Sequence, residues 1–370
     1  REDKQEAVKW YRLAADQGDA EAQKELVDCY KQQGDCYFWG AGIREDKQEA
    51  VKWYRLAADQ GDAEAQRRLG YFYFWGEGIR EDKQEAVKWY RLAADQGDAE
   101  AQKELVDCYK QQGDCYFWGE GIREDKQEAV KWYRLAAEQG DAEAQRILGA
   151  CYYFGTGIRE DKQEAVKWYR LAAEQKNSEA RWRLGDCYFW GEGIREDKRE
   201  AVKWYRLAAE QGNAKAQWRL GACYYFGTGI REDKQEAVKW FRLAAEQKNA
   251  EAQYSLGRCY YFGTGIREDK QEAVKWFRLA AEQEDAEAQW MLGDCYFFGH
   301  GVGKNKREAV NWYFLSAKKG NAEAQRRLGA CFYFGHGVAK NRQEAIRWYR
   351  LAAEQGNSVA ISMLKKLGVM

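Results

Sequence analysis

The sequence predicts an all-α solenoid of about ten helix-turn-helix repeats, two of them lengthened by seven residues. Three observations predict it: one string recurring at a near-constant period, two amphipathic segments inside each period, and capping residues at the ends of those segments. REDKQEAVKWYRLAA, or a close variant, begins at positions 1, 44, 80, 123, 159, 195, 231, 267, 303 and 339. The intervals are 43, 36, 43 and then 36 six times. A period of this size with helical patterning marks stacked helix pairs.

The first segment of each repeat, helix A, is typified by AEAQRILGACYYF after the N-cap candidate Asp141. Its buried arc holds Ala144, Leu148, Gly149, Cys151 and Tyr152. Gly155 and Gly157 end it, because glycine tolerates the left-handed conformation common at helix C-termini. The second segment, helix B, opens on Asp161 with Glu164 three residues on, a capping-box spacing in which each side chain can satisfy the other's backbone donor. Asn305/Glu308 and Asn341/Glu344 keep that chemistry in the last two full repeats. Ala165, Trp168, Tyr169, Ala172 and Ala173 cluster on one arc of helix B, opposite Lys167, Arg170 and Glu174. Neither helix hides its apolar face alone, so the repeats must stack. Trp10 and its repeat equivalents through Trp348 hold one invariant helix B position and read as core, where truncation to Ala costs roughly 3–5 kcal/mol.

The two long repeats read KELVDCYKQQGDCYFWG at 24–40 and 103–119, with DCY occurring twice in each. Seven residues turn a helix by about 700°, returning the buried face almost to its old direction. A longer helix A is therefore expected, extended by ~10 Å. The rival is a bulge around Gln32–Asp35, which Gln33 and Gln112 favour by standing where Leu148 would be. Segments 1–43 and 80–122 differ only at Ala41 against Glu120, the mark of a recent duplication or a constructed array.

Composition narrows the function classes. The chain is 32% charged and 15% aromatic, so it has the apolar bulk to fold beneath a solvated exterior. Lys plus Arg equals Asp plus Glu at 60 each, which argues against a global grip on nucleic acid or an anionic membrane. No apolar run approaches the ~18 residues of a membrane helix. No linker-like change of composition interrupts 1–370, which reads as a single solenoid domain. The chain begins at Arg1 inside a repeat, leaving the compartment open between cytoplasm and secreted or periplasmic space. From Cys115 onward the cysteines recur every 36 residues, as copies of one packing position rather than a disulfide or metal framework. His300 and His336 sit in FGHG turns one repeat apart, too far to converge on a metal, and no nucleophile–base constellation is possible elsewhere. No cofactor is expected, and GTGI and GEGI follow helices rather than strands, unlike phosphate loops.

The A-x-x-W-Y-x-x-A-A core of helix B, the A-x-x-x-L-G-x-x-Y of helix A and the G-x-G-[IV] turn resemble the Sel-one-like repeats (SLR), relatives of the tetratricopeptide repeats. The resemblance spans essentially the whole chain. It implies a right-handed α/α superhelix with helix A lining the concave side. It also implies an adaptor role, holding protein partners in signalling, secretion, quality control or host-cell contact. One branch, the bacterial cysteine-rich proteins, carries a disulfide in each repeat, and some members have been associated with β-lactam binding or hydrolysis. The corresponding stretch here, LAAEQGDAEAQ, has Ala and no Cys.

An array supplies its own comparison: constant positions serve the shared fold, and variable ones are free for binding. The position of Arg146 becomes aromatic in the C-terminal half, as Trp182, Trp218, Tyr254 and Trp290. One turn on stand Asp186, Ala222, Arg258 and Asp294, and one turn further Phe189, Tyr225, Tyr261 and Phe297. On the helical wheel these positions face away from Leu148, so the column is expected at the surface. Aromatics flanked by charge are the composition of a protein-binding face. The expectation is a non-enzymatic scaffold gripping a partner segment along this stripe. A β-lactam-directed enzyme and a purely structural array are the competing readings.

Overall fold

The structure, a computed structural model, describes residues 2–369, with side chains from Glu6 to Val369. Among the described residues there are twenty α-helices and no strand. Contacts divide the chain into two compact units, 1–175 and 176–370. The first holds α1 (Glu2–Asp16), α2 (Ala20–Trp39), α3 (Lys47–Ala58), α4 (Ala63–Trp75), α5 (Lys83–Asp95), α6 (Ala99–Trp118), α7 (Lys126–Glu138), α8 (Ala142–Phe154) and α9 (Lys162–Glu174). The second holds α10 (Ser178–Trp190), α11 (Lys198–Glu210), α12 (Ala214–Phe226), α13 (Lys234–Glu246), α14 (Ala250–Phe262), α15 (Lys270–Glu282), α16 (Ala286–Phe298), α17 (Lys306–Lys318), α18 (Ala322–Phe334), α19 (Arg342–Glu354) and α20 (Ser358–Lys366). In each unit, helices packed together are successive in sequence, so helix A and helix B alternate through a stack of pairs.

The caps form largely as the sequence predicts. Asp141 accepts from the Ala144 amide at 2.7 Å, and Gly155 closes α8 at φ 67°. Asp161 likewise accepts from the Glu164 amide at 2.9 Å. The reciprocal half of the capping box does not form. The Asp161 amide donates instead to the Tyr152 carbonyl of the preceding helix A at 2.9 Å, while the Glu164 carboxylate takes Lys167 at 2.7 Å. Stacking provides the amide with a backbone acceptor, so the glutamate is released to an i,i+3 pair.

The core is built on a close approach. Leu148, Leu184, Leu220, Leu256, Leu292 and Leu328 are fully buried in helix A. Beside each lies a glycine against which an aromatic ring of the following helix B rests. A Cβ built on Gly185 would stand 2.6 Å from Cδ1 of Tyr205, and one on Gly221 2.7 Å from Cδ1 of Phe241. The ring that does this is the Tyr or Phe after the invariant Trp, and this corrects the expectation for the tryptophans. Tyr169 and Tyr205 are fully buried, whereas Trp168 and Trp204 are half-buried and Trp10 is exposed; only Trp348 is buried outright. The helix B arc centres on the Tyr, leaving the Trp at its edge to pack on the previous repeat. Trp240, for example, rests on the cluster of Val202, Tyr205 and Leu220.

Buried glutamines add a polar ladder. Gln217 Nε2 donates to the Ala209 carbonyl at 3.1 Å, and Gln247 Nε2 donates to Gln217 Oε1 at 2.7 Å. Gln145 and Gln175 repeat the arrangement in the first unit. Gln66, Gln145, Gln217, Gln253 and Gln325 each tie one helix A to the helices B on both sides, whereas Gln289 bonds only the preceding one.

The long repeats contain continuous helices and no bulge: α2 and α6 each run 20 residues against 13 for α8. In α8 one residue, Tyr152, serves both neighbours, accepting from Arg134 at its hydroxyl and from the Asp161 amide at its carbonyl. In α6 the two tasks are split. Tyr109 accepts from Arg91, and the Tyr116 carbonyl accepts from the Asp125 amide. The two docking faces are thus drawn apart by seven residues, ~10 Å of helix.

Two substitutions of opposite sign test this account. Gly221→Ala gains helix propensity but drives a methyl into Phe241, so urea unfolding should show a net loss of about 1–3 kcal/mol. Lys248 holds φ 64° where most repeats have glycine, so Lys248→Gly should gain about 1 kcal/mol in the same assay.

Candidate protein-interaction surface

The second unit arranges the predicted stripe on α10, α12, α14 and α16, at several depths. Trp182 is buried, with Arg183 and Lys215 lying 4.3 and 4.5 Å from its ring centroid. This departs from the expectation of an exposed ring, because the two cations cover both it and the helix edge. Trp218, Tyr254 and Trp290 are half-buried. Phe189, Tyr225, Tyr261 and Phe297 each lean on the helix B ring that follows, with centroids 6.1–6.3 Å apart. A lysine covers each of them, as Lys234 covers Tyr225 at 5.0 Å. Tyr261 also shares a 2.6 Å hydrogen bond with Nδ1 of His300.

The charged row between these aromatics divides in two. Asp186 accepts from the Tyr205 hydroxyl at 2.5 Å and pairs with Arg219 at 3.2 Å. Asp294 does the same with Tyr313 at 2.5 Å and Arg327 at 2.9 Å. Both carboxylates are therefore spoken for inside the fold. Arg258 is exposed, lies 5.8 Å from the Tyr254 centroid and 6.0 Å from that of Phe262, and makes no ion pair among the described residues.

Four of the predicted residues converge. Trp218, Tyr225, Tyr254 and Arg258 line one groove of about 320 Å³ between α12 and α14, together with Phe226, Ser255 and Glu287. The Trp218 indole N–H donates to Ser255 Oγ at 3.2 Å, which fixes the ring as a wall. Burial pushes the Tyr254 hydroxyl up to about 12, so it stays a neutral donor. Glu287 is held above the usual carboxylate range, first by burial and then by Asp285. An apolar wall carrying a few polar groups and the exposed Arg258 guanidinium beside Tyr254 suits a peptide segment. Trp182, Asp186, Phe189, Tyr261, Trp290, Asp294 and Phe297 stand outside this groove.

One row escaped the sequence reasoning. The last residue of every helix A from α2 to α18 is Trp or Phe and is exposed: 58% at Trp75, 68% at Trp118 and 69% at Phe226, for example. Its constancy reads as core, yet the αL glycine that follows turns the chain away and leaves the ring in solvent. The signal was available in the spacing, since these rings fall one residue past the buried arc.

Seven of the ten cysteines, Cys108 and the six from Cys151 to Cys331, are buried in helix A. Among the described residues no group of three or more His, Cys, Asp or Glu side chains is placed to hold a metal ion, and no helix is long and apolar enough to cross a membrane.

Alternating helix pairs on a 36-residue period define an α/α repeat protein. Comparison with protein families matches the Sel1 repeat ten times, at residues 1–19, 34–62, 63–98, 113–141, 142–177, 178–213, 214–249, 250–285, 286–321 and 322–357, and the chain belongs to that family. It is similar to c5321, a protective antigen of uropathogenic Escherichia coli strains displaying an SLR fold. The identity is 34%, over 97% of this chain and 82% of that one, with a TM-score of 0.76. A Sel1 repeat protein from Oxalobacter formigenes is 31% identical over 86% of this chain and 90% of its own, with a TM-score of 0.64. A search of curated proteins finds no match. Sel1 repeat proteins are generally protein-interaction scaffolds and typically not enzymes.

Two measurements follow. Burial is the largest influence on Asp186 and Asp294 and raises both above the ordinary carboxylate value, against the pull of their Tyr and Arg partners. A folded pKa above the unfolded one means that stability is gained as pH falls through it. The parent chain should therefore gain stability relative to Asp186→Asn/Asp294→Asn between pH 7 and pH 4. A relative loss would mean the Arg pairs dominate. The buried thiols are pushed up, to about 12 at Cys223, Cys295 and Cys331. Iodoacetamide at pH 8 should consequently label half-buried Cys36 and Cys115 well before these three, as read by peptide mass spectrometry.

Proposed function

We propose that the chain is a scaffold that holds a segment of a protein partner along its helix A face, with the α12–α14 groove as a principal grip. The observation that supports this reading most directly is the convergence of Trp218, Tyr225 and Tyr254 around an exposed arginine that makes no direct salt bridge among the described residues. Three fixed aromatic surfaces exclude water from a bound segment. Arg258 then offers up to five donors to a backbone carbonyl or carboxylate of the partner. Tryptophan, tyrosine and arginine are the residues that most often dominate binding energy when they share a desolvated pocket. The family's general role as an interaction scaffold and the lack of any catalytic constellation in the sequence support the same reading.

The test compares capture of proteins by the intact chain with capture by Trp218→Ala and Arg258→Glu, read by mass spectrometry. Each change should weaken binding of the specific partner by about 2 kcal/mol or more while far-UV circular dichroism is unchanged. Equal capture by all three proteins would overturn the assignment of the groove.

A further inference from the structure

One cavity of the first unit follows from the split docking faces of α6. Because α6 engages α5 with its first half and α7 with its second, a stripe of α6 is left only half-buried between the end of α4 and the face of α8. The resulting groove has a volume of about 800 Å³. Its apolar walls are Trp75 at the end of α4, Trp118 at the end of α6 and Phe154 at the end of α8, exposed by 58%, 68% and 58%. These are three successive members of the row described above, brought around one opening.

Charge gives the groove a sign. Four carboxylates and two cations line it. Both cations are engaged locally: Lys110 with Asp107 at 3.0 Å and Asp141 at 3.1 Å, and Arg146 with Glu143 at 2.6 Å. Asp114 accepts from the Tyr133 hydroxyl at 2.7 Å. Glu104 remains, with no hydrogen bond or ion pair among the described residues. Burial, then Asp107 and Glu100, holds its carboxyl above the usual range, against the weaker pull of Lys103 and Arg67.

We infer that this groove binds a partner segment presenting a lysine or arginine, whose cation meets Glu104 while its aliphatic stem lies against Trp75, Trp118 and Phe154. Aromatic faces and a carboxylate without a direct ion pair both favour a cation, and the aromatics also take the flanking apolar residues of a peptide. An acidic segment is repelled by the same lining. The inference rests on the scaffold reading and adds to it a second grip and the chemistry of what that grip takes.

The experiment is a selection from a randomised twelve-residue peptide display library on the full chain. It is run in parallel on Glu104→Gln, on Trp118→Ala and on Trp218→Ala/Tyr254→Ala, each checked for unchanged helicity. The expected result is a family of peptides with Lys or Arg at a fixed position beside apolar residues. Fluorescence polarisation of those peptides should show about tenfold weaker binding to Glu104→Gln and Trp118→Ala, no change with Trp218→Ala/Tyr254→Ala, and weakening with added salt. Peptides lost only on the Trp218→Ala/Tyr254→Ala protein would leave the scaffold reading standing and sink this one. Peptides without a basic residue, or basic peptides indifferent to Glu104→Gln, would also overturn it. No enrichment on any of the proteins would sink both readings.

Discussion

Each repeat depends on the contact between a helix A glycine and the aromatic ring of the helix B that follows. Without a Cβ on Gly149, Gly185 or Gly221, the ring lies directly on the helix backbone, and the two axes approach closely enough to bury Ala165, Ala201 and Ala237 completely. The small helix B residues make sense only at that separation. A larger residue at the glycine would push the axes apart and open voids beside every alanine, which interiors do not tolerate. Gln217 then needs a partner on each side, and the close packing provides it: one carbonyl from the preceding helix B and one amide from the next. A buried amide satisfied from both neighbours fixes register as well as contact.

The same contact explains how the array absorbs an insertion. Seven extra residues preserve the facing of α6 because 700° differs from two full turns by only about 20°. Gly113 therefore still meets Tyr133, and Tyr109 still meets Arg91. What the insertion cannot preserve is their mutual height. The half-buried stripe on α6, and the cavity it borders, are the geometric remainder of a rule obeyed at both ends of one helix. Gln112 takes the place of the core leucine and is buried there, which the altered neighbourhood of that stripe accommodates.

Most of the fold was legible in the sequence because period, caps and apolar arcs are local properties. The boundaries of α8 and α9 follow from Asp141, Gly155 and Asp161 alone. What was not legible depends on distances between helices. Trp168 and Tyr169 occupy neighbouring wheel positions, and only the approach of helix A decides that the Tyr goes beneath and the Trp goes to the seam. The capping box was half legible: its acceptor is local, but the acceptor for the Asp161 amide comes from another helix. For the candidate surface, the residue types were readable and their depth was not, since Trp182 is covered by Lys215 from the next repeat.

Variation within an array is also weaker evidence for binding than it first looks, because neighbouring positions vary together. The row of Asp186, Ala222, Arg258 and Asp294 changes from repeat to repeat, yet in these four its chemistry follows the helix B ring it faces. Aspartate stands opposite Tyr205 and Tyr313, whose hydroxyls it accepts, and also opposite Tyr54 and Tyr133 in the first unit. Alanine and arginine stand opposite Phe241 and Phe277, which have no hydroxyl to satisfy. A buried hydroxyl left without an acceptor costs on the order of 1–3 kcal/mol, so folding favours aspartate beside these four tyrosines, although Tyr90, which meets Gly70 beside Tyr71, goes without one. Arg258 escapes that constraint: the ring beneath it asks for nothing polar, and its guanidinium is exposed. Variation that stability does not account for is what distinguishes a binding residue from a compensating one, and in this row Arg258 alone shows it with a charge in solvent.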